Sequence, residues 1–181
     1  GFVNCSFWVD PQREEIRVIL PDPMSGRIKL IIDYQGLIND KMAGFYRSRY
    51  TYRGETKFAA VTQFEESDAR RAFPCMDHPA KKATFDIIID IDRTLVAISN
   101  GAVKKEETLD RRKKRITFEQ TPIMSSYLVF FGVGEFEFTE DEKDSRVRVA
   151  TLPGMKEFAK FGAEFGRKSL EFSENYYGIP Y

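Results

Sequence analysis

The chain has 181 residues, with 28 basic and 28 acidic side chains, one histidine and two cysteines. The zero net charge excludes a chain built as a whole to trap nucleic acid or anionic membrane, and no apolar stretch approaches the ~20 residues that span a bilayer. A single histidine excludes a two-histidine metal site made from this chain alone, the helical HExxH motif included.

The chain opens Gly1-Phe2-Val3, with no methionine and no charged-then-apolar leader, and is read as a piece of a longer protein. Asn4-Cys5-Ser6 fits the glycosylation sequon, a short pattern common by chance. Strand patterns follow at Glu15–Leu20, Arg27–Tyr34 (bounded by Gly26 and Gly36), Tyr46–Tyr52 and Lys57–Gln63. Thr84–Asp92 alternates in part. Phe85, Ile87, Ile89 and Ile91 fall on one face, and Thr84, Asp86, Ile88, Asp90 and Asp92 on the other, as in a strand with one buried face. Leu95–Ser99, Arg115–Gln120, Tyr127–Val133 and Arg146–Thr151 complete the set. Turn signals such as Pro21-Asp22-Pro23, Arg53-Gly54, Asn100-Gly101 and Pro122 separate them. Many short strands without intervening helices predict antiparallel sheets packed as a β-sandwich.

The composition changes near Thr139. A charged loop, Glu140–Asp144, and one strand lead to a helical pattern from Met155 to Tyr177. Phe158, Phe161, Phe165, Phe172 and Tyr176 recur at helical spacing, and Gly178-Ile179-Pro180 stops the pattern. This aromatic stripe is read as core, covered by the upstream strands or by chain outside this sequence. Leaving it in water is unfavourable at roughly 25 cal/mol per Å².

Polar residues concentrate between Thr62 and Pro79. Glu65, Glu66, Asp68 and Asp77 stand near Arg70, Arg71, Lys81 and Lys82. The plainer reading is a loop held by ion pairs. The sharper one is a recognition loop, in which a carboxylate captures an ammonium through charge-assisted hydrogen bonds. Cys5 and Cys75 are read as buried free thiols, with a bridge between them left open, and Cys75 as packing rather than nucleophile. His78 is read as an ordinary loop histidine. The basic run Arg111–Arg115 is read as a solvated hairpin tip, since no stacking aromatics interleave with it.

Thr62-Gln63-Phe64-Glu65-x-x-Asp68-Ala69-Arg70-Arg71-Ala72-Phe73-Pro74-Cys75-x-Asp77-x-Pro79-Ala80-x-Lys82-Ala83-x-Phe85 resembles the TQFExxDARRAFPCxDEPxxKAxF signature of the aminopeptidase N family of zinc metallopeptidases. These gluzincin aminopeptidases include puromycin-sensitive, tricorn-interacting and leukotriene-hydrolase types. Gly44-Phe45-Tyr46-Arg47-Ser48-x-Tyr50 is similar to the family's GFYRSxY strand, and Ala97-Ile98-Ser99-Asn100 to its ALSN turn. Thr121-Pro122-x-Met124-Ser125-x-Tyr127-Leu128 resembles TPxMSTYL. Leu170-Glu171-Phe172-x-Glu174-x-Tyr176-Tyr177-Gly178-Ile179-Pro180-Tyr181 resembles LEFYExYFGIPYP. His78 departs from the glutamate usual in DEP.

The resemblance implies a mainly β fold. Residues 1–140 are expected to form an N-terminal β-saddle domain, incomplete at its start, and residues 141–181 the first strand and helix of a thermolysin-like catalytic domain. It implies a zinc aminopeptidase as parent, acting on peptides with a free N-terminus, with GxMEN and HExxH in the missing catalytic domain. This fragment is then expected to be inactive and to hold no zinc. By the same resemblance, Glu65 binds the substrate's α-amino group. Gln63, two residues earlier, would share its face if extended and line the same pocket. A cytoplasmic location is expected. The alternative is a non-catalytic β-sandwich that serves as a binding or scaffold module.

Overall fold

The computed structural model describes residues 2–181. Among the described residues, eleven strands and one long helix follow one another. The strands are β1 (Ser6–Asp10), β2 (Glu15–Ile19), β3 (Gly44–Tyr52), β4 (Glu55–Gln63), β5 (Ile88–Asp92) and β6 (Val96–Ser99). They continue with β7 (Val103–Thr108), β8 (Lys113–Phe118), β9 (Phe131–Gly134), β10 (Glu137–Glu140) and β11 (Arg148–Thr151), before helix α1 (Ala159–Tyr177).

Two sheets make the body of the fold, one ordered β3-β4-β9-β6 and one β5-β8-β7. All of their strand pairs are antiparallel. The expected mainly β, sandwich-like architecture is therefore what the chain forms. The alternation at Thr84–Asp92 explains the seam between the sheets. Ile91 is buried with Ile116 and Phe118 of β8 and Ala97 of β6, and Ile87, Ile89 and Val133 pack against this cluster. Ile88, on the opposite face, is 57% exposed. Strand pairing begins only at Ile88, because Thr84–Ile87 finds few ladder partners: Ala83 bridges Met124, and Ile87 offers its carbonyl to Phe118. An open, apolar cavity of about 1010 Å³ lies along the seam, lined by side chains of both sheets and by Tyr34, Leu37 and Ile38.

Three expectations need correction. Arg27–Tyr34 forms no strand, although its composition is β-rich. A strand needs a neighbour to complete its ladder, and this segment pairs with none among the described residues, leaving Ile28, Leu30 and Ile31 exposed. Tyr127–Val133 divides into a 3₁₀ turn at Ser126–Leu128 and strand β9 from Phe131. The third concerns the final helix. It starts at Ala159, after a 3₁₀ turn at Lys156–Phe158, and ends at Gly178, whose φ of 66° and amide bond to the Glu174 carbonyl cap it as expected. Its aromatic stripe, however, is not covered by the strands: Phe161 is 77% exposed, and Phe158, Phe165, Phe172 and Tyr176 are exposed as well.

The helix packs by its small residues instead. Ala159, Gly162, Ala163 and Gly166 recur at the same three-and-four spacing, and both alanines are buried. A Cβ at Gly166 would stand 2.9 Å from Val147, so only glycine admits this approach of helix to hairpin. Arg167 and Asp141, paired at 3.2 Å with little of either side chain exposed, fix the helix to the turn of the β10–β11 hairpin. Strands β1, β7 and β10 carry few apolar alternations and were not among the predicted elements.

Candidate functional site

The resemblance singles out the segment that leaves β4. Gln63 is the last residue of that strand, paired with Gly44 of β3. Phe64 follows and is buried, 1% exposed. It meets Phe73 edge-on at 5.8 Å and Phe131 at 6.0 Å between ring centroids. Phe64, Ala69 and Val129 form the second buried cluster of the fold. Gln63 and Glu65 flank this anchor, and both are exposed.

A tight turn carries Glu65. The Asp68 amide donates to the Phe64 carbonyl at 2.9 Å, and the enclosed Glu65–Glu66 peptide bond is cis. The chain then forms a 3₁₀ turn at Ala69–Arg71. This turn lies against the start of β3, where Gly44 has a φ of 70° and a Cβ would come within 2.9 Å of Arg71 Cβ. Glycine in the GFYRS segment therefore serves the turn that follows the candidate residue.

The ion-pair reading describes part of this loop. Asp68 is paired with Arg71 at 2.7 Å. Asp77, its side chain 3% exposed, is paired with Arg70 at 3.1 Å. Burial alone would raise the Asp77 carboxyl. The Ser126 hydroxyl and the Arg70 amide and guanidinium, all donating to it, more than offset this and hold it below its ordinary value. The Glu65 carboxylate, by contrast, takes part in no side-chain hydrogen bond or ion pair among the described residues. Lys81 and Lys82 do not close onto it. Of the pair that organises the loop, Asp77 was visible in the sequence only as a member of a quoted motif, and Ser126 fell on an unmatched position of another. Their contact spans 49 positions, and no local pattern announces it.

The remaining candidates resolve simply. Cys5 and Cys75 are both free thiols. Burial, reinforced by the Asp77 charge, pushes the Cys75 thiol up to about 11, so it is a neutral packing group at ordinary pH. His78 is exposed, and its Nδ1 accepts the Ala80 amide at 3.2 Å. Arg111 and Arg112 lie in the β7–β8 turn in solvent, while Arg115 makes a bidentate cross-strand pair with Asp90 at 2.7 and 2.8 Å. Among the described residues no group of three or more histidine, cysteine, aspartate or glutamate side chains is placed to hold a metal. Among the same residues no helix is long and apolar enough to cross a membrane.

Comparison with known proteins gives a consistent result. The model of the peptidase M1 N-terminal domain matches residues 3–128. The chain is 44% identical over 169 residues to Aminopeptidase M1 of Arabidopsis thaliana, an alignment covering 92% of this chain and 19% of the relative. It is 47% identical over 154 residues to Aminopeptidase M1-C of Oryza sativa subsp. japonica, covering 84% and 17%. With the Puromycin-sensitive aminopeptidase of Caenorhabditis elegans the identity is 40% over 177 residues, covering 95% and 19%. The chain thus spans less than a fifth of the length of the curated relatives it matches.

Proposed function

The chain belongs to the peptidase M1 N-terminal domain family, and from that premise we propose that it is the N-terminal part of a zinc-dependent aminopeptidase that removes N-terminal residues from peptides. In this reading Glu65 binds the α-amino group of the substrate. The observation that carries it is the contrast within one loop: Asp68 and Asp77 are spent on arginines, while Glu65 and Glu66 stand exposed and unpaired, and of these two Glu65 directly adjoins the buried Phe64. A carboxylate in that state is available to an ammonium, and its rigid neighbour fixes where it stands. An ammonium held at one point sets how far the first peptide bond reaches into the cleft, which confines cleavage to chain ends. Gln63 is exposed as well, but the chain turns at Glu65 instead of continuing extended, so the shared strand face that suggested Gln63 for the same pocket is absent, and only its closeness along the chain supports it.

Zinc belongs to the parent enzyme, and the residues of this chain do not fit it. The one histidine is exposed and already hydrogen-bonded to backbone, and among the described residues no metal-binding group of side chains surrounds it. The zinc ligands and the GxMEN loop fall to the missing catalytic domain, so the fragment alone is inactive. We assign residues 1–140 to the β-saddle domain and 141–181 to the beginning of the catalytic domain. The exposed aromatic stripe of α1 supports packing against that domain, since such a face is stable only when covered. Strand β11 and helix α1 are then the first pieces of the neighbour, and β10, the antiparallel partner of β11, is the last strand before the boundary. Two free thiols suit the cytoplasm.

The test is kinetic. In the full-length enzyme, Glu65→Ala raises KM for a substrate with a free amino terminus, by the equivalent of about 1.5–3 kcal/mol. Unchanged kinetics would remove Glu65 from the site.

A further inference from the structure

Asp77 has the least exposed side chain of any ion-paired carboxylate among the described residues, and both of its oxygens are engaged. Oδ1 accepts the Ser126 hydroxyl at 2.6 Å. Oδ2 accepts both the backbone amide and Nε of Arg70, each at 3.1 Å. The Asp77 carbonyl accepts Nη2 of the same arginine at 3.0 Å. Arg70 Nη1 donates to Glu14 at 2.8 Å, which brings the turn of the β1–β2 hairpin against the loop. Arg70 is the central residue of the 3₁₀ turn that begins four positions after Glu65. Upstream, the Glu65–Ser67 turn is closed by the Asp68 amide on the Phe64 carbonyl. The segment that bears Glu65 is therefore gripped at both ends, by a buried ring on one side and by Arg70 on the other.

We propose that Asp77 is a positioning residue for Glu65: its carboxylate clamps Arg70, the clamp fixes the downstream end of the Glu65 turn, and Ser126 ties the clamp to the chain before β9. The inference rests on the reading of Glu65 as the amine-binding group. Asp77 itself touches no substrate. It is enclosed, and its acceptor positions are filled by protein donors. Glu65 is held within hydrogen-bonding precision only if the backbone on both sides of it is fixed, and an exposed turn has no packing of its own to supply this.

The experiment compares Glu65→Gln, Asp77→Ala and the double variant in the full-length enzyme, with an alanyl anilide as substrate and thermal unfolding measured in parallel. Glu65→Gln raises KM by about tenfold or more. Asp77→Ala raises KM to a similar degree with kcat little changed, and the double variant matches Glu65→Gln within about twofold, because Asp77 acts through Glu65. Asp77→Asn, which keeps an acceptor toward Arg70, falls between wild type and Asp77→Ala. A lowered unfolding midpoint with KM unchanged in Asp77→Ala overturns the proposal, and so does a double variant whose effects multiply. If Glu65→Gln itself leaves KM unchanged, the reading of Glu65 fails, a result distinct from failure of the clamp. Should Asp77→Ala not give folded enzyme, Arg70→Lys carries the same test: it keeps the charge but lacks the fork, and the same rise in KM and the same non-additivity with Glu65→Gln are expected.

Discussion

The loop after β4 and the C-terminal helix are built on one plan and end in opposite states. Each buries one set of side chains and presents another. In the loop the buried residue is large, Phe64, and the presented groups are Gln63 and Glu65, which water solvates well. In the helix the buried residues are small, Ala159 and Ala163, and the presented ones are phenylalanines and tyrosines. The loop is thus satisfied as it stands, with the Glu65 carboxylate left in solvent. The helix is not, and its presented face calls for a protein surface. A polar exposed residue and an apolar exposed residue carry different messages, and burial alone does not separate them.

Substitutions on each side of this contrast can break or sharpen it. The largest effect belongs to Phe64→Ala. Removing a fully buried ring with two edge-on partners lowers stability by about 3–5 kcal/mol, measured by denaturant unfolding of the full-length protein. A loss under about 1 kcal/mol would mean that Phe64 is no anchor. Phe165→Gln comes next. If α1 is covered in the full-length protein, as proposed, the substitution costs about 1.5–3 kcal/mol, the worth of burying a phenylalanine, whereas an unchanged Tm would leave the stripe in water. Ala163→Leu overfills the small face that lies on the hairpin and costs about 1–3 kcal/mol by the same unfolding measurement.

A pH titration gives a smaller signal. The Asp77 carboxyl is held below its ordinary value, so its charged form is favoured in the folded state. It contributes stability above the unfolded carboxylate value, and this is lost as pH falls through the depressed folded one. Unfolding midpoints therefore drop below about pH 4, and Asp77→Asn flattens that drop. An unaltered slope in the variant would show that other carboxylates carry it. The smallest effect is at the β7–β8 turn. Arg111→Gln with Arg112→Gln leaves the unfolding midpoint where it is, since both side chains are exposed and neither forms an ion pair among the described residues. A clear shift would reveal a contact of the tip elsewhere in the parent.

Much of the candidate site was legible in advance because its motifs are local. Gln63, Phe64 and Glu65 are contiguous, and the alternation of apolar and polar residues already sets Phe64 apart from its neighbours. The clamp was not legible, because Ser126 reaches Asp77 from 49 positions away. Nor could the sequence say which acids of the loop would be consumed. Four acidic and four basic residues admit many pairings, and the fold selects Asp68 with Arg71 and Asp77 with Arg70.

Composition, alternation and ordered motifs determined the mainly β fold, the buried face of Phe85, Ile87, Ile89 and Ile91, the helix with its glycine stop, and the family. Each of these is a property of neighbouring residues, which is what a sequence records. Only the tertiary structure decided that Arg27–Tyr34 has no ladder, that α1 turns its small residues inward, and that Glu65 is left unpaired. Those outcomes depend on what lies across from a segment. A β-rich run without a partner cannot satisfy its backbone as a strand. A helix with two stripes of equal period buries the one whose shape admits the closer approach.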